Sequence, residues 1–242
     1  MTSDQTHISR RFAVAGGTAL FVTGCGPQGA SPKPGLGGQA AAPASAAEPA
    51  AGRAADRPLI VTMLGDSITA GYGLAAADAL PAQLETALIA RGLSVRVRAA
   101  GVSGDTSAGG LARVDFSVQD DTDLCIVALG GNDMLQGVDP ATTRGNLDQI
   151  IKRLKARGIP VLLAGMKAPP QYGAYARDFD KVFVDLARQD DVAAYPFLLD
   201  GVALDRRYNQ ADGIHPNPAG VKIIAAALAP VVAGSLQSRP AA

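Results

Sequence analysis

Residues 59–73 read LIVTMLGDSITAGYG. Leu59 to Leu64 is an unbroken apolar run with only Thr62 inside it, the pattern of a strand buried on both faces. It runs directly into Gly65-Asp66-Ser67 and then into a glycine-punctuated loop that leads to a helix. Ser67 therefore stands at the carboxyl end of a strand. In open α/β sheets those ends border the crevice where ligands bind, so a hydroxyl at that point faces whatever the crevice holds. On this reading the chain is a candidate serine hydrolase.

From Leu59 onward, short apolar runs alternate with amphipathic stretches, as βαβ units require. The runs predict strands near 59–64, 94–99, 124–129, 161–165 and 192–195. Between the first two, Asp78 is placed to cap a helix that carries Leu80, Leu84 and Leu88 on one face and ends at Gly92. A helix opening at Asp139-Pro140 buries Leu147, Ile150, Ile151 and Leu154 and stops at Gly158. Another sets Phe179, Val182, Phe183 and Leu186 at helical spacing, and the last opens at Asn217-Pro218, where a cap residue followed by proline marks a helix start. The product is an α/β domain, a three-layer α/β/α sandwich around a five-stranded parallel sheet with right-handed crossovers.

The composition sets outer limits. The chain has 242 residues, 48% of them hydrophobic, enough for one cored domain with appendages. Lys plus Arg equals Asp plus Glu at 22 each, so no excess of charge attracts nucleic acid or an anionic surface. Residues 1–25 read as an export signal with a lipobox-like end: Arg10-Arg11, an apolar stretch from Phe12 to Val22, then Val22-Thr23-Gly24-Cys25. The stretch is shorter than the ~20 residues a transmembrane helix needs. The paired arginines resemble a twin-arginine signal, and Val-Thr-Gly-Cys resembles the cleavage box of bacterial lipoproteins, in which the cysteine is acylated. Lipidation of Cys25 and ordinary cleavage nearby both fit, and a periplasmic or membrane-anchored location follows from either. Residues 26–57, rich in Ala, Pro, Gly and Ser, read as a disordered tether; 58–236 is the folded domain and 237–242 a tail. Cys125 lies in an apolar run and is expected buried, which makes a disulfide with Cys25 improbable.

The chemistry collects after the strands. Ser67 follows the first, Gly104-Asp105 the second, Gly130-Gly131-Asn132-Asp133 the third, and Asp212-Gly213-Ile214-His215 precedes the last helix. Parallel strands bring all of these to one edge of the sheet. The chain has two histidines, and His7 falls in the expected signal, so a histidine base must be His215. A serine hydroxyl needs such a base near neutral pH. Asp212, three residues earlier, is placed to hold the imidazole tautomer. The Ser67 and Gly104 amides and the Asn132 side chain form the available oxyanion donors. Taken singly, Ser67 reads equally as a helix cap, Asp212 as an Asx-turn, and Asn132 or Asp133 as a cap.

Four blocks, GDSITAGYG, AGVSGDTSAGG, LGGND and DGIHPNPAG, resemble in order those of the SGNH hydrolases, also called GDSL esterases, and above all their bacterial arylesterase, lysophospholipase and acyl thioesterase branch. The resemblance runs from about Leu59 to Val232. It implies a flavodoxin-like fold, Ser67 as nucleophile, Gly104 and Asn132 with the Ser67 amide as oxyanion hole, and Asp212 and His215 as the rest of a triad. It implies hydrolysis of aryl or short-chain acyl esters or thioesters through an acyl-enzyme. No G-x-S-x-G elbow, Walker lysine loop, dinucleotide fingerprint or clustered metal ligands occur, so no cofactor or metal is implied. Tyr172 and Tyr175, in the loop after the fourth strand, either contact the substrate or pack beneath the loop. A lysophospholipase, a cell-envelope carbohydrate acetyl esterase and a non-catalytic lipid-anchored binding protein are the alternatives. Oligomeric state is not legible.

Overall fold

The computed structural model describes residues 57–238. Five parallel strands, β1 (Leu59–Gly65), β2 (Val95–Gly101), β3 (Leu124–Ala128), β4 (Val161–Ala164) and β5 (Ala193–Tyr195), lie in the order β2-β1-β3-β4-β5. All five predicted strands are present to within two residues. Residues of β1 after Leu59 and all residues of β3 and β4 are buried, as expected for central strands covered on both faces. Among them, Cys125 is a free thiol that burial pushes up to about 12, so it is chemically inert. Cys25, His7 and the predicted signal and tether up to residue 56 lie outside the described residues.

The helices follow from caps and apolar spacing. The chain reverses direction across the sheet after β2, so the right-handed crossovers put α2 (Leu80–Ile89) on one face, where α7 (Pro218–Gln237), after the last strand, packs against it. The other face carries α3 (Ser107–Ser117), α5 (Pro140–Ala156) and α6 (Ala174–Gln189), each packed on the next. In α2, Leu80, Leu84 and Leu88 are fully buried at four-residue spacing. Asp139 Oδ1 accepts from Ala141 N at the start of α5, and Asn217 Oδ1 accepts from Ala219 N and Gly220 N, both at 3.0 Å, at the start of α7.

Three details differ from the sequence reading. Asp78 does not cap α2: it ends a separate 3-10 turn, Ala76–Asp78, and Ala79 precedes the helix with no side-chain cap, because Pro81 in the first turn already lacks one of the donors a cap would satisfy. Arg57, assigned to the tether, is bound to the domain instead. Its guanidinium donates to both carboxylate oxygens of the buried Asp123, at 2.7 and 2.8 Å, while the same carboxylate accepts from Ile60 N at 2.7 Å. At the other end α7 runs to Gln237, one residue past the expected boundary.

The carboxyl edge of the sheet is packed tightly around the first chemical block. The short α1 (Ser67–Ala70) lies against the end of β2, where a Cβ on Gly101 would fall 2.4 Å from Ala70 N and 2.7 Å from Asp66 O. Both neighbours are backbone and cannot swing aside. Gly101→Ala is expected to destabilise the domain by about 1–3 kcal/mol and to lower activity by displacing Ser67. Gly145→Ala, in α5 with nothing within 4 Å of the added methyl, is expected to stabilise it by about 0.5–1 kcal/mol. Urea unfolding of the two variants, with ester hydrolysis alongside, checks both signs.

Candidate active site

Ser67 is the first residue of α1, and the cap of that helix is the residue before it. Asp66 Oδ1 accepts from Ile68 N at 3.0 Å. This frees the Ser67 hydroxyl from the capping role it was equally suited to by sequence. It is buried to 8% exposure and lies 2.8 Å from His215 Nε2.

His215 reaches that position on a tied turn. Asn209 and Pro216 bridge in antiparallel fashion, and Gln210 N donates to His215 O at 2.8 Å. Asp212 Oδ1 accepts from Ile214 N and His215 N at 2.9 and 3.0 Å, forming the Asx-turn that the sequence allowed. Its other oxygen, Oδ2, lies 2.7 Å from His215 Nδ1. Asp212 thus performs both readings at once, one with each oxygen. The His215 hydrogen bond, followed by those two backbone N–H groups, holds its carboxyl down at about 2. An ionised carboxylate only accepts, so the proton on the imidazole resides on Nδ1 and Nε2 presents its lone pair to Ser67. This is the arrangement in which imidazole can remove a hydroxyl proton as the oxygen attacks. Tyr72, not singled out from the sequence, packs against the imidazole in a tilted arrangement, with ring centroids 4.6 Å apart and planes at 37°. Nothing in its spacing distinguishes it from any loop tyrosine.

The remaining predicted residues fall on the neighbouring strand ends. Gly104 adopts φ +87°, and neither its N–H nor that of Ser67 has an acceptor among the described residues. Asn132 donates one amide hydrogen to Asp105 O at 2.9 Å, which joins the β2 and β3 blocks and leaves its second hydrogen unused. Its neighbour Asp133 is structural. Buried completely, it accepts from Ser107 N at 2.6 Å, from the Ser107 hydroxyl and from Thr143 Oγ1 at 3.1 Å, binding α3, α4 (Gly131–Gln136) and α5 together.

An apolar cavity of about 360 Å³ adjoins these residues. Met134, Met166, Pro169, Tyr172, Leu204 and Ile214 are among its walls. Neither Ser67 nor His215 lines it, but Gly213 and Ile214 do, on the same turn as His215, and Met134 lies two residues beyond Asn132. The two tyrosines part company here. Tyr172 is on the cavity wall, whereas Tyr175 stacks on Phe179 and donates to Val138 O at 3.0 Å, reaching only a shallow hollow outside it.

Residues 63–223 match the GDSL-like Lipase/Acylhydrolase family. The esterase TesA of Pseudomonas aeruginosa is 42% identical over 166 residues, spanning 68% of this chain and 82% of that protein. The thioesterase 1/protease 1/lysophospholipase L1 of Escherichia coli is 40% identical over 166 residues, spanning 68% of this chain and 77% of that protein. The crystal structure of AlinE4, an SGNH-hydrolase family esterase, aligns with a TM-score of 0.62 at 44% identity, covering 76% of this chain and 98% of that one.

The second carboxylate at the site is in the opposite condition to Asp212. Burial pushes Asp66 up to about 6, opposed by the Ile68 N–H and by His215. A carboxyl whose folded value is raised keeps its proton longer in the folded chain than in the unfolded one. The fold is therefore penalised progressively as pH rises from about 4 to 6, by on the order of 3 kcal/mol in full above that range. Asp66→Asn retains an acceptor for Ile68 N and does not titrate. Urea midpoints measured from pH 4 to 7 are expected to fall less with rising pH in the variant than in the unmodified protein.

Proposed function

The chain belongs to the GDSL-like lipase/acylhydrolase family and is a serine esterase; from that premise we propose that Ser67 is the nucleophile, His215 the base and Asp212 its orienting carboxylate. The observation that carries the reading is the pair of contacts at His215, 2.7 Å to Asp212 Oδ2 and 2.8 Å to Ser67 Oγ. Ser67 Oγ attacks the ester carbonyl carbon while its proton passes to His215 Nε2. The carbonyl oxygen takes up the negative charge and is met by the N–H groups of Ser67 and Gly104 and the Asn132 amide. Collapse of this intermediate expels the alcohol or thiol, which leaves with the proton from Nε2. Water then attacks the acyl-enzyme, again losing a proton to Nε2, and the acid departs as Ser67 recovers its hydrogen.

The substrates are small-molecule esters, and we assign the finer class to aryl and short-chain acyl esters and the corresponding thioesters. The apolar cavity beside the triad supports this reading, since it favours an acyl or aryl group over a sugar. An acetyl group would leave most of such a space unfilled, which weighs against an acetyl esterase of envelope carbohydrate. Export follows the sequence signals: Arg10-Arg11 and the apolar stretch direct translocation, and Cys25 carries lipid, with the segment to residue 56 as a tether. Mass spectrometry of the mature N-terminus tests this last point, an unmodified terminus away from Cys25 being the contrary result.

Ser67→Ala is expected to abolish hydrolysis of nitrophenyl esters and covalent labelling by a fluorophosphonate, with the fold intact by circular dichroism; retained turnover would remove Ser67 from its role. Asn132→Ala is expected to lower kcat by about 10²- to 10³-fold, the loss that follows removal of one oxyanion donor elsewhere. A nitrophenyl ester series of increasing acyl length should show KM falling while the chain fills the cavity and rising once it no longer fits.

A further inference from the structure

Arg113, on α3, plays no part in the chemistry above, yet its guanidinium lies among the strand ends that carry it. Nη2 donates to Gly65 O at 2.8 Å and Nη1 to Ala100 O at 2.8 Å, so one planar group bridges the carboxyl ends of β1 and β2. Nε donates to Asp105 Oδ2 at 2.6 Å, and Nη1 also reaches Ser117 Oγ at 3.1 Å. The Arg113 and Asp105 side chains are only 18% and 17% exposed. A half-exposed surface pair would contribute little, but this one is enclosed and forms four bonds in fixed fork geometry.

Each of its partners leads to an oxyanion donor. Gly65 lies two residues before Ser67. Asp105 N donates to Val102 O at 3.1 Å, closing a turn whose third residue is Gly104, and Val102 N donates to Gly65 O at 3.1 Å. One end of that turn is thus tied to the Gly65 carbonyl and the other, through the Asp105 carboxylate, to the guanidinium that holds the same carbonyl. Asp105 O accepts from Asn132 Nδ2 at 2.9 Å. The three donors sit on three different strand ends, and strand ladders alone do not hold loop amides to the tolerance that catalysis requires.

We propose that Arg113 is a positioning residue that sets the mutual geometry of the Ser67, Gly104 and Asn132 oxyanion donors, through Gly65 O on one side and Asp105 on the other. The proposal rests on the reading of those three groups as the oxyanion hole. It places the effect of Arg113 in the transition state, where charge reaches the carbonyl oxygen, and not in the binding of substrate.

Arg113→Gln, Arg113→Lys and Asp105→Asn test it in the full chain, alone and combined with Asn132→Ala. Rates are normalised to sites labelled to completion by fluorophosphonate. Arg113→Gln should lower kcat per labelled site by about 10- to 100-fold with KM within about twofold. Arg113→Lys, which retains a cation for Asp105 but not the fork, should fall between the two. In the Asn132→Ala background the Arg113→Gln factor should shrink, because one of the donors it positions is gone. A kcat per labelled site within about twofold of the unmodified protein, with only the melting temperature lowered, would overturn the proposal, as would a factor unchanged in the Asn132→Ala background. Should Arg113→Gln not fold, the same two criteria apply to Arg113→Lys and the near-isosteric Asp105→Asn. Activity retained by Ser67→Ala is a separate outcome: it removes the nucleophile reading beneath the proposal, whatever Arg113 does.

Discussion

The ladder on either side of β1 pairs Gly65 with Gly101 in β2 and with Ala128 in β3. Three parallel strands therefore end level with one another, and the next few residues of each enter the same space. The order β2-β1-β3-β4-β5 also makes this the point at which successive crossovers leave in opposite directions, so the helices diverge and a crevice opens above β1 and β3. Ser67 and Asn132 follow those two strands. A slip of one residue in either ladder would send each buried side chain to the opposite face of the sheet, against helices packed for its neighbour, and would also separate the two groups along the edge. Apolar burial and catalytic geometry are therefore enforced by the same register.

Once the edge is level, electrostatics decides which group does what. Two aspartates flank the pair of reacting side chains and are driven in opposite directions. Asp66 is buried and pushed up to about 6, its desolvation outweighing the backbone N–H bonds it accepts; Asp212 is more open, takes three donors and is held down to about 2. A carboxylate that stays ionised fixes the imidazole proton on Nδ1 and stabilises the imidazolium formed during attack. Asp66 occupies the cap of α1 in place of Ser67, and that is what leaves the hydroxyl available. The two roles that compete for a serine after a strand are divided between neighbouring residues.

The features legible in the sequence were those that repeat or that concentrate. Leu80, Leu84 and Leu88 announce a helix face, the run at Leu124 a buried strand, and a lone usable histidine points to its own role. The features that were not legible depend on distance in space. Helix α3 has a weak sequence signal because Ser107-Ala-Gly-Gly110 is poor in helix formers and only Val114 of its apolar residues is fully buried. Arg113 reads from the sequence as an ordinary helix cation; its partners Gly65, Ala100 and Asp105 are backbone carbonyls and a loop carboxylate, which leave no pattern. Tyr72 meets His215 across 143 residues of chain, and Arg57 reads as tether because its partner Asp123 lies 66 residues away.

The division between strand ends and loops also separates two kinds of binding energy. On the proposed assignment, polar groups fixed by the ladder, the Asp212 turn and the Asp105 carbonyl meet charge that exists only while the carbonyl carbon is tetrahedral, so their contribution appears in kcat. The apolar cavity is built largely by other segments, Met166 to Tyr172 and the chain around Leu199 to Leu204, and meets the proposed triad at Gly213 and Ile214 of the His215 turn. On the proposed reading its walls hold the acyl or aryl group equally in the ground state and the transition state, so changes there act on KM. Leu204 sits at its edge 80% exposed and with φ +63°, a backbone region that a branched side chain rarely adopts. Strain at a non-glycine residue is thus tolerated in the loop that forms the cavity wall, whereas the left-handed positions at the strand ends, Gly104 and Gly130, are glycines. An edge fixed by backbone ladders can tolerate such variation around it, because none of the cavity loops carries a bond on which the oxyanion donors depend.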